Sequence, residues 1–101
     1  MQINAARDGS ALILALEGRL DAVASPELEN VLKNSLEGID SLVLDFSKVE
    51  YISSAGLRAL LGAHKRMSAQ GSMKVTNVGE GVMEILKMTG FSDILDILSV
   101  E

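Results

Sequence analysis

Leu42-Val43-Leu44-Asp45-Phe46, Ser47-Lys48-Val49-Glu50-Tyr51 and Ile52-Ser53-Ser54-Ala55-Gly56-Leu57-Arg58-Ala59-Leu60-Leu61 follow one another without a break, and they decide the fold. Leu42 to Leu44 with Phe46 is a nearly continuous apolar run, which predicts a strand covered on both faces. Residues 47–51 read as a short loop. Leu57, Leu60, Leu61 and Met67 then recur at helical spacing and predict a helix from about Ser54 to Ala69, stopped by Gly71. Ser53 and Ser54 stand at its start, where a hydroxyl can cap a free backbone N–H and the helix dipole favours negative charge. A phosphoryl group on a first-turn serine would be tolerated by such a helix and still be visible to a partner. A serine in this place is most often only a cap, and helix physics does not choose between Ser53 and Ser54.

Working outward, Gln2 to Ala6 reads as a weak strand, and Asp8-Gly9 signals a hairpin turn before the strongly apolar Ala11 to Leu16. Glu17-Gly18-Arg19-Leu20-Asp21 is expected to leave the sheet. Ser25-Pro26-Glu27 predicts a helix start, with serine as cap and proline at the first helical position. Leu28, Val31, Leu32 and Leu36 would form the buried face of that helix, which Gly38 stops. After the central helix, Met73 to Thr76 predicts a strand and Gly81 to Thr89 a helix ended by Gly90. Ser92 would cap a last short helix to about Leu95, and Ile97 to Val100 would add an edge strand. Strands alternating with helices imply parallel pairing through right-handed crossovers. The expected fold is therefore α/β, a single domain over residues 1–101, with a mixed, mostly parallel sheet of four to five strands and helices packed on it. The loops after the second, third and fourth strands should gather at one end of the sheet, so that Asp21, Ser53, Ser54, Asn77 and Glu80 share one surface.

The 101 residues, 48% of them hydrophobic, suffice for one compact core. Nine basic against fourteen acidic residues give a net charge of -5, which argues against nucleic acid and anionic membrane as partners. The chain has no cysteine, so a disulfide framework and a thiolate metal site are excluded. Met1-Gln2-Ile3-Asn4 lacks the features of a signal peptide, and no apolar run approaches the roughly 20 residues of a membrane span. A cytoplasmic monomer is the expectation.

Enzyme chemistry finds little support. His64, the only histidine, lies ten residues after Ser54 on the same predicted helix, about 15 Å away by helix rise. Ile52 stands where a Gly-x-Ser-x-Gly elbow needs its first glycine. Gly79-Glu80-Gly81-Val82-Met83-Glu84 has glutamate in place of the third glycine of a dinucleotide fingerprint. No cofactor is expected, no carboxylates are spaced for a metal, and Met67, Met73, Met83 and Met88 read as core fillers.

Asp45-Phe46-Ser47-Lys48-Val49 followed by Tyr51-Ile52-Ser53-Ser54-Ala55-Gly56-Leu57 resembles the signature of the STAS domain, in particular of bacterial anti-sigma-factor antagonists. Glu17-Gly18-Arg19-Leu20-Asp21 is similar to that family's motif after its second strand, and Met88-Thr89-Gly90-Phe91 to its C-terminal pattern. The resemblance covers essentially the whole chain. It implies a switch. Such antagonists are phosphorylated on a serine at the start of the central helix by an anti-sigma factor that is also a serine kinase, and a metal-dependent PP2C-type phosphatase reverses this. The unphosphorylated form binds the anti-sigma factor and frees the sigma factor. Carried onto this chain, the phosphoacceptor falls on Ser54. Ser53 stands where several members carry aspartate, and Ala55 where serine or threonine is common. Gly56, Leu57 and Arg58 complete the implied partner-binding stretch, with Asp21, Asn77 and Glu80 beside it. Some of these residues have a plainer reading, Asp21 as a turn cap and Arg58 as a solvated cation one turn after Ser54, and Asp45 reads as structural. The alternative function is a constitutive STAS interaction subunit of a transport or signalling assembly, with Ser54 merely a cap.

Overall fold

The computed structural model describes residues 1–99. Five strands and three α-helices follow in the order β1 (Gln2–Asp8), β2 (Ala11–Leu20), α1 (Ser25–Ser35), β3 (Ser41–Ile52), α2 (Ser54–Gln70), β4 (Ser72–Val78), α3 (Glu80–Met88) and β5 (Asp96–Ser99), with a 3-10 turn at Phe91–Asp93 before β5. The sheet runs β1-β2-β3-β4-β5, antiparallel at β1-β2 and parallel thereafter. Val100, the last residue expected in the edge strand, lies outside the described residues. No helix is long and apolar enough to cross a membrane among the described residues.

Sequential strand order with right-handed crossovers puts every helix on the same face of the sheet. Burial follows from this. Leu12, Leu14, Leu16 and Leu20 of β2, Leu42, Leu44 and Phe46 of β3, and Met73 and Val75 of β4 face the helices and are buried. The alternate residues lie on an open face, where Ile13 is 47% exposed, Leu98 52% exposed, and Val43 only half-buried. The expectation of a strand covered on both faces is thus corrected. Val43 breaks the alternation because it sits in register with Ile13, a second branched apolar residue on the open face.

Residues 47–51 are not a loop. The register of β2 against β3 slips between Ala15 and Glu17 and again between Gly18 and Arg19, so β3 carries two bulges. Each bulge advances the inward phase by one residue, which is why Phe46, Val49 and Ile52, three apart, all point into the core. At the first bulge the Ser47 N–H is taken up by Asp45 Oδ1 at 2.9 Å, and Asn77 Nδ2 donates to the same oxygen at 3.1 Å. Asn77 adopts a left-handed φ of 57°, which asparagine tolerates better than most residues. The segment 17–20 likewise stays in the sheet, pairing with β3 as far as Leu20 against Ile52.

Ser25 does not cap α1. It lies inside the first turn, buried, and its hydroxyl donates to the Asp21 carbonyl at 2.6 Å, while the helix cap position is Ala24. Leu28, Leu32 and Leu36 are buried as expected, with Val31 at the margin. Of the methionines, Met67 and Met73 fill the core and Met83 packs against it, but Met88 is 80% exposed. α2 ends at Gly71, whose N–H reaches the Met67 carbonyl. A Cβ at Gly71 would collide with the Asp40 carbonyl oxygen, which accepts from the Ser72 N–H at 2.9 Å.

Two outcomes follow from this packing. Gly71→Ala cannot be accommodated without moving backbone, and we expect a loss of about 1–3 kcal/mol or more, read as a Tm drop of at least ~4–8 °C per kcal/mol. The Ser47 N–H foremost, then the Asn77 amide and the Lys48 charge, hold the Asp45 carboxyl below its ordinary value. A depressed folded-state value contributes stability above the unfolded-state value and loses it as pH falls through the folded one. The stability difference between the native chain and Asp45→Asn should therefore be present at neutral pH and close below about pH 4, as measured by denaturant titration across that range.

Candidate functional site

α2 begins directly on the ends of β2 and β3. The Ser53 N–H donates to the Leu20 carbonyl at 2.9 Å, which ties the residue before α2 to the last residue of β2. Gly56 then packs so tightly that an added Cβ would meet Leu20 Cγ and Leu20 O at 2.8 Å and Ile52 Cγ1 at 2.9 Å. Leu57 is buried beneath. Gly56 and Leu57, expected among the partner-binding residues, thus form the seat of the helix rather than its outer surface.

The two serines separate by hydrogen bonding. Ser53 is the cap, with extended backbone and a hydroxyl that accepts from the Gly56 N–H at 3.2 Å. Ser54 is the first helical residue and is exposed. Arg58 is exposed one turn further on. Neighbouring backbone N–H groups of the first turn have no partner within the helix.

Asp21 follows Leu20 at the same end. Its Oδ1 accepts from the N–H of Val23 at 3.1 Å and of Ala24 at 2.9 Å, closing the turn into α1. The Ala24 N–H foremost, with that of Val23 and the positive charge of Arg19, holds this carboxyl below its ordinary value. The turn lifts Val23 into solvent, 87% exposed, beside a shallow depression that Met1, Arg19 and Glu27 also line. Arg19 in turn stacks over Tyr51, 4.4 Å from the ring centroid. Val23 and the Arg19-Tyr51 pair were not singled out in the sequence; a valine between two alanines in a turn was the available signal.

Asn77 and Glu80 do not join this group by register. β4 pairs with β3 only as far as Thr76 against Asp45, whereas β3 runs on to Ile52 beside β2. Allowing for the two bulges, β4, which ends at Val78, stops roughly 10 Å short of the level of Ile52 at the usual strand rise. Asn77 is instead bonded to Asp45, and Glu80 opens α3 after Gly79, both exposed. The end of the sheet is stepped, with Asp21, Ser53, Ser54 and Arg58 on the upper step and Asn77 and Glu80 on the lower one. The cause is the β2-β3 extension through two bulges, which the sequence had shown as loops.

Comparison with known proteins agrees with this architecture. The anti-sigma-B factor antagonist of Listeria monocytogenes is 30% identical over 98 residues, covering 94% of this chain and 85% of that protein. An anti-sigma factor antagonist from Mycobacterium paratuberculosis superposes with a TM-score of 0.88 at 20% identity, over 98% of this chain and 86% of that one. The Bacillus cell fate determinant SpoIIAA, solved in its phosphorylated form, superposes with a TM-score of 0.75 at 14% identity, over 97% and 92%. The sequence profile of the STAS domain matches residues 2–100, and the chain belongs to the STAS domain family.

Proposed function

We propose that this protein is an anti-sigma-factor antagonist whose unmodified form binds a kinase-type anti-sigma factor, and that phosphorylation of Ser54 releases it. The observation that carries the choice of residue is the division of labour at the start of α2. Ser53 spends its hydroxyl on the Gly56 N–H, while the Ser54 hydroxyl is exposed at the first helical position. The relatives named as antagonists, and a relative of the same fold described in a phosphorylated form, support the class of function.

The switch can be argued from charge. A phosphoryl group adds about -1.5 to -2 charges and three acceptor oxygens at one point. Within the chain, free first-turn N–H groups and the helix dipole accommodate it, with a gain of roughly 0.3–1 kcal/mol, so α2 need not refold. At an interface the balance reverses. A partner fitted closely over an unmodified serine must bury an unpaired charge, which costs several kcal/mol, and each ~1.4 kcal/mol is tenfold in affinity. A PP2C-type phosphatase would restore the binding form. Asp21, next in sequence to the Leu20 that holds the Ser53 N–H, and the exposed Val23 of its turn would form the rest of the contact.

Three measurements test this. Incubation with the cognate anti-sigma factor and ATP should add one phosphoryl mass to the native chain and to Ser53→Ala, and none to Ser54→Ala; modification at Ser53 would overturn the register, and no modification at all would favour the constitutive-subunit reading. Ser53→Ala should cost about 0.5–2 kcal/mol of stability through the lost cap, whereas Ser54→Ala should be near neutral in thermal unfolding. In calorimetric titration the phosphorylated protein should bind its partner at least about tenfold more weakly, with amide shift changes confined to the α2 start and the Asp21 turn.

A further inference from the structure

Among the described residues α2 is the one helix without an acidic residue, and it carries Arg58, Lys65 and Arg66 in a protein of net charge -5. It runs beside α1, and the two helices enclose an open groove of about 400 Å³. The floor is apolar and shallow, made of Leu32 and Leu36 from α1 and Ala59 and Ala63 from α2. Lys33, Arg58 and Arg66 stand along the rim with a single acid, Glu29. Arg66 reaches across one end, its Nη1 donating to the Lys33 carbonyl at 3.2 Å, and Gln70 fixes the helix ends beyond it through the Leu36 and Ile39 carbonyls. In the middle of the groove lies Gly62. It is exposed, and a Cβ there would meet nothing within 4 Å. Glycine is unfavourable in a helix interior relative to alanine, and here no steric constraint of the fold requires it. The effect is a bare stretch of helix onto which another backbone can settle closely.

We infer that this groove docks an acidic amphipathic helix of a partner protein. Charge complementarity selects the occupant: a cationic rim set in an otherwise anionic molecule attracts a local cluster of carboxylates and repels extended polyanions. Shape selects the helix, because two side-by-side helices with small residues between them offer a furrow into which a third helix packs its ridges. The groove is separate from the phosphorylation site but touches it. Ser54, Arg58, Gly62 and Arg66 succeed one another at intervals of four, one ridge of α2. A phosphoryl group on Ser54 stands one turn from Arg58 and competes for its guanidinium, so the groove loses attraction for an acidic helix when Ser54 is modified.

The test uses the full chain, labelled with 15N, and two synthetic helical peptides of about 18 residues, long enough to hold helix. Both carry leucine along one face; one has glutamate and the other lysine on the remaining positions. The glutamate peptide should shift the amides of residues 29–36 and 58–66, and its binding should weaken as salt rises to ~0.5 M. Gly62→Leu, which adds bulk to the groove at a position where a Cβ meets nothing within 4 Å, and the surface pair Lys33→Glu with Arg58→Glu should each weaken it by roughly tenfold or more while keeping a dispersed spectrum. The inference is overturned if the lysine peptide binds equally well, if neither peptide binds, if the shifts map to the open face of the sheet, or if groove amides move with protein concentration alone, which would make the occupant a second copy. A chain bearing encoded phosphoserine at position 54 separates the two readings: weaker binding of the glutamate peptide supports the link between groove and serine, and unchanged binding removes that link while leaving the docking itself intact.

Discussion

Everything at the functional end depends on how closely α2 can approach the sheet. The helix starts with no connecting loop after β3, and the contact between Gly56 and Leu20 leaves no room for a single added carbon atom. Because the Ser53 N–H is spent on the Leu20 carbonyl and the Ser53 hydroxyl on the Gly56 N–H, the next residue in line has no structural duty for its side chain. The exposure of Ser54 is thus a by-product of a tight junction, which fixes its backbone in place at the first helical position.

The same junction couples two surfaces that would otherwise be unrelated. One is the upper step of the sheet, with the Asp21 turn and Val23. The other is the flank of α2, which begins at Ser54 and continues along its cationic ridge. Charge is distributed unevenly over a small molecule: the first turn of α2 offers N–H groups to an anion, and the helix flank offers guanidinium groups. A negative group placed at the helix start would lie beside both.

Periodicity made the element order legible, since buried apolar residues recur at every third or fourth position along each helix. It failed where two residues of a bulge broke the alternation of two: Phe46, Val49 and Ile52 lie three apart, which reads as a loop in the sequence and is a strand in the structure. Coverage of the sheet was misread for a related reason, because Val43 looks like a core residue until its cross-strand neighbour Ile13 is known. Capping was assigned to Ser25 by its position before proline, but the turn is closed by Asp21, whose carboxylate reaches two N–H groups at once. At the site, the stretch from Ile52 to Arg58 was visible from its serines and glycine. The separation of Asn77 and Glu80 from it was not, since strand register is a long-range property that no local pattern encodes.

The stepped sheet end also sets where the molecule yields first. β1 is largely exposed and β5 is four residues long, so both edges open at low cost, whereas the β2-β3 pair is the longest parallel ladder and lies in the centre. Local opening in proteins follows such differences in burial and pairing. The serine and the Asp21 turn follow directly on the longest parallel ladder of the fold, so the surface offered to a partner is expected to be largely pre-formed. Little ordering entropy remains to be lost on association, and the affinity can be governed almost entirely by what the surface carries.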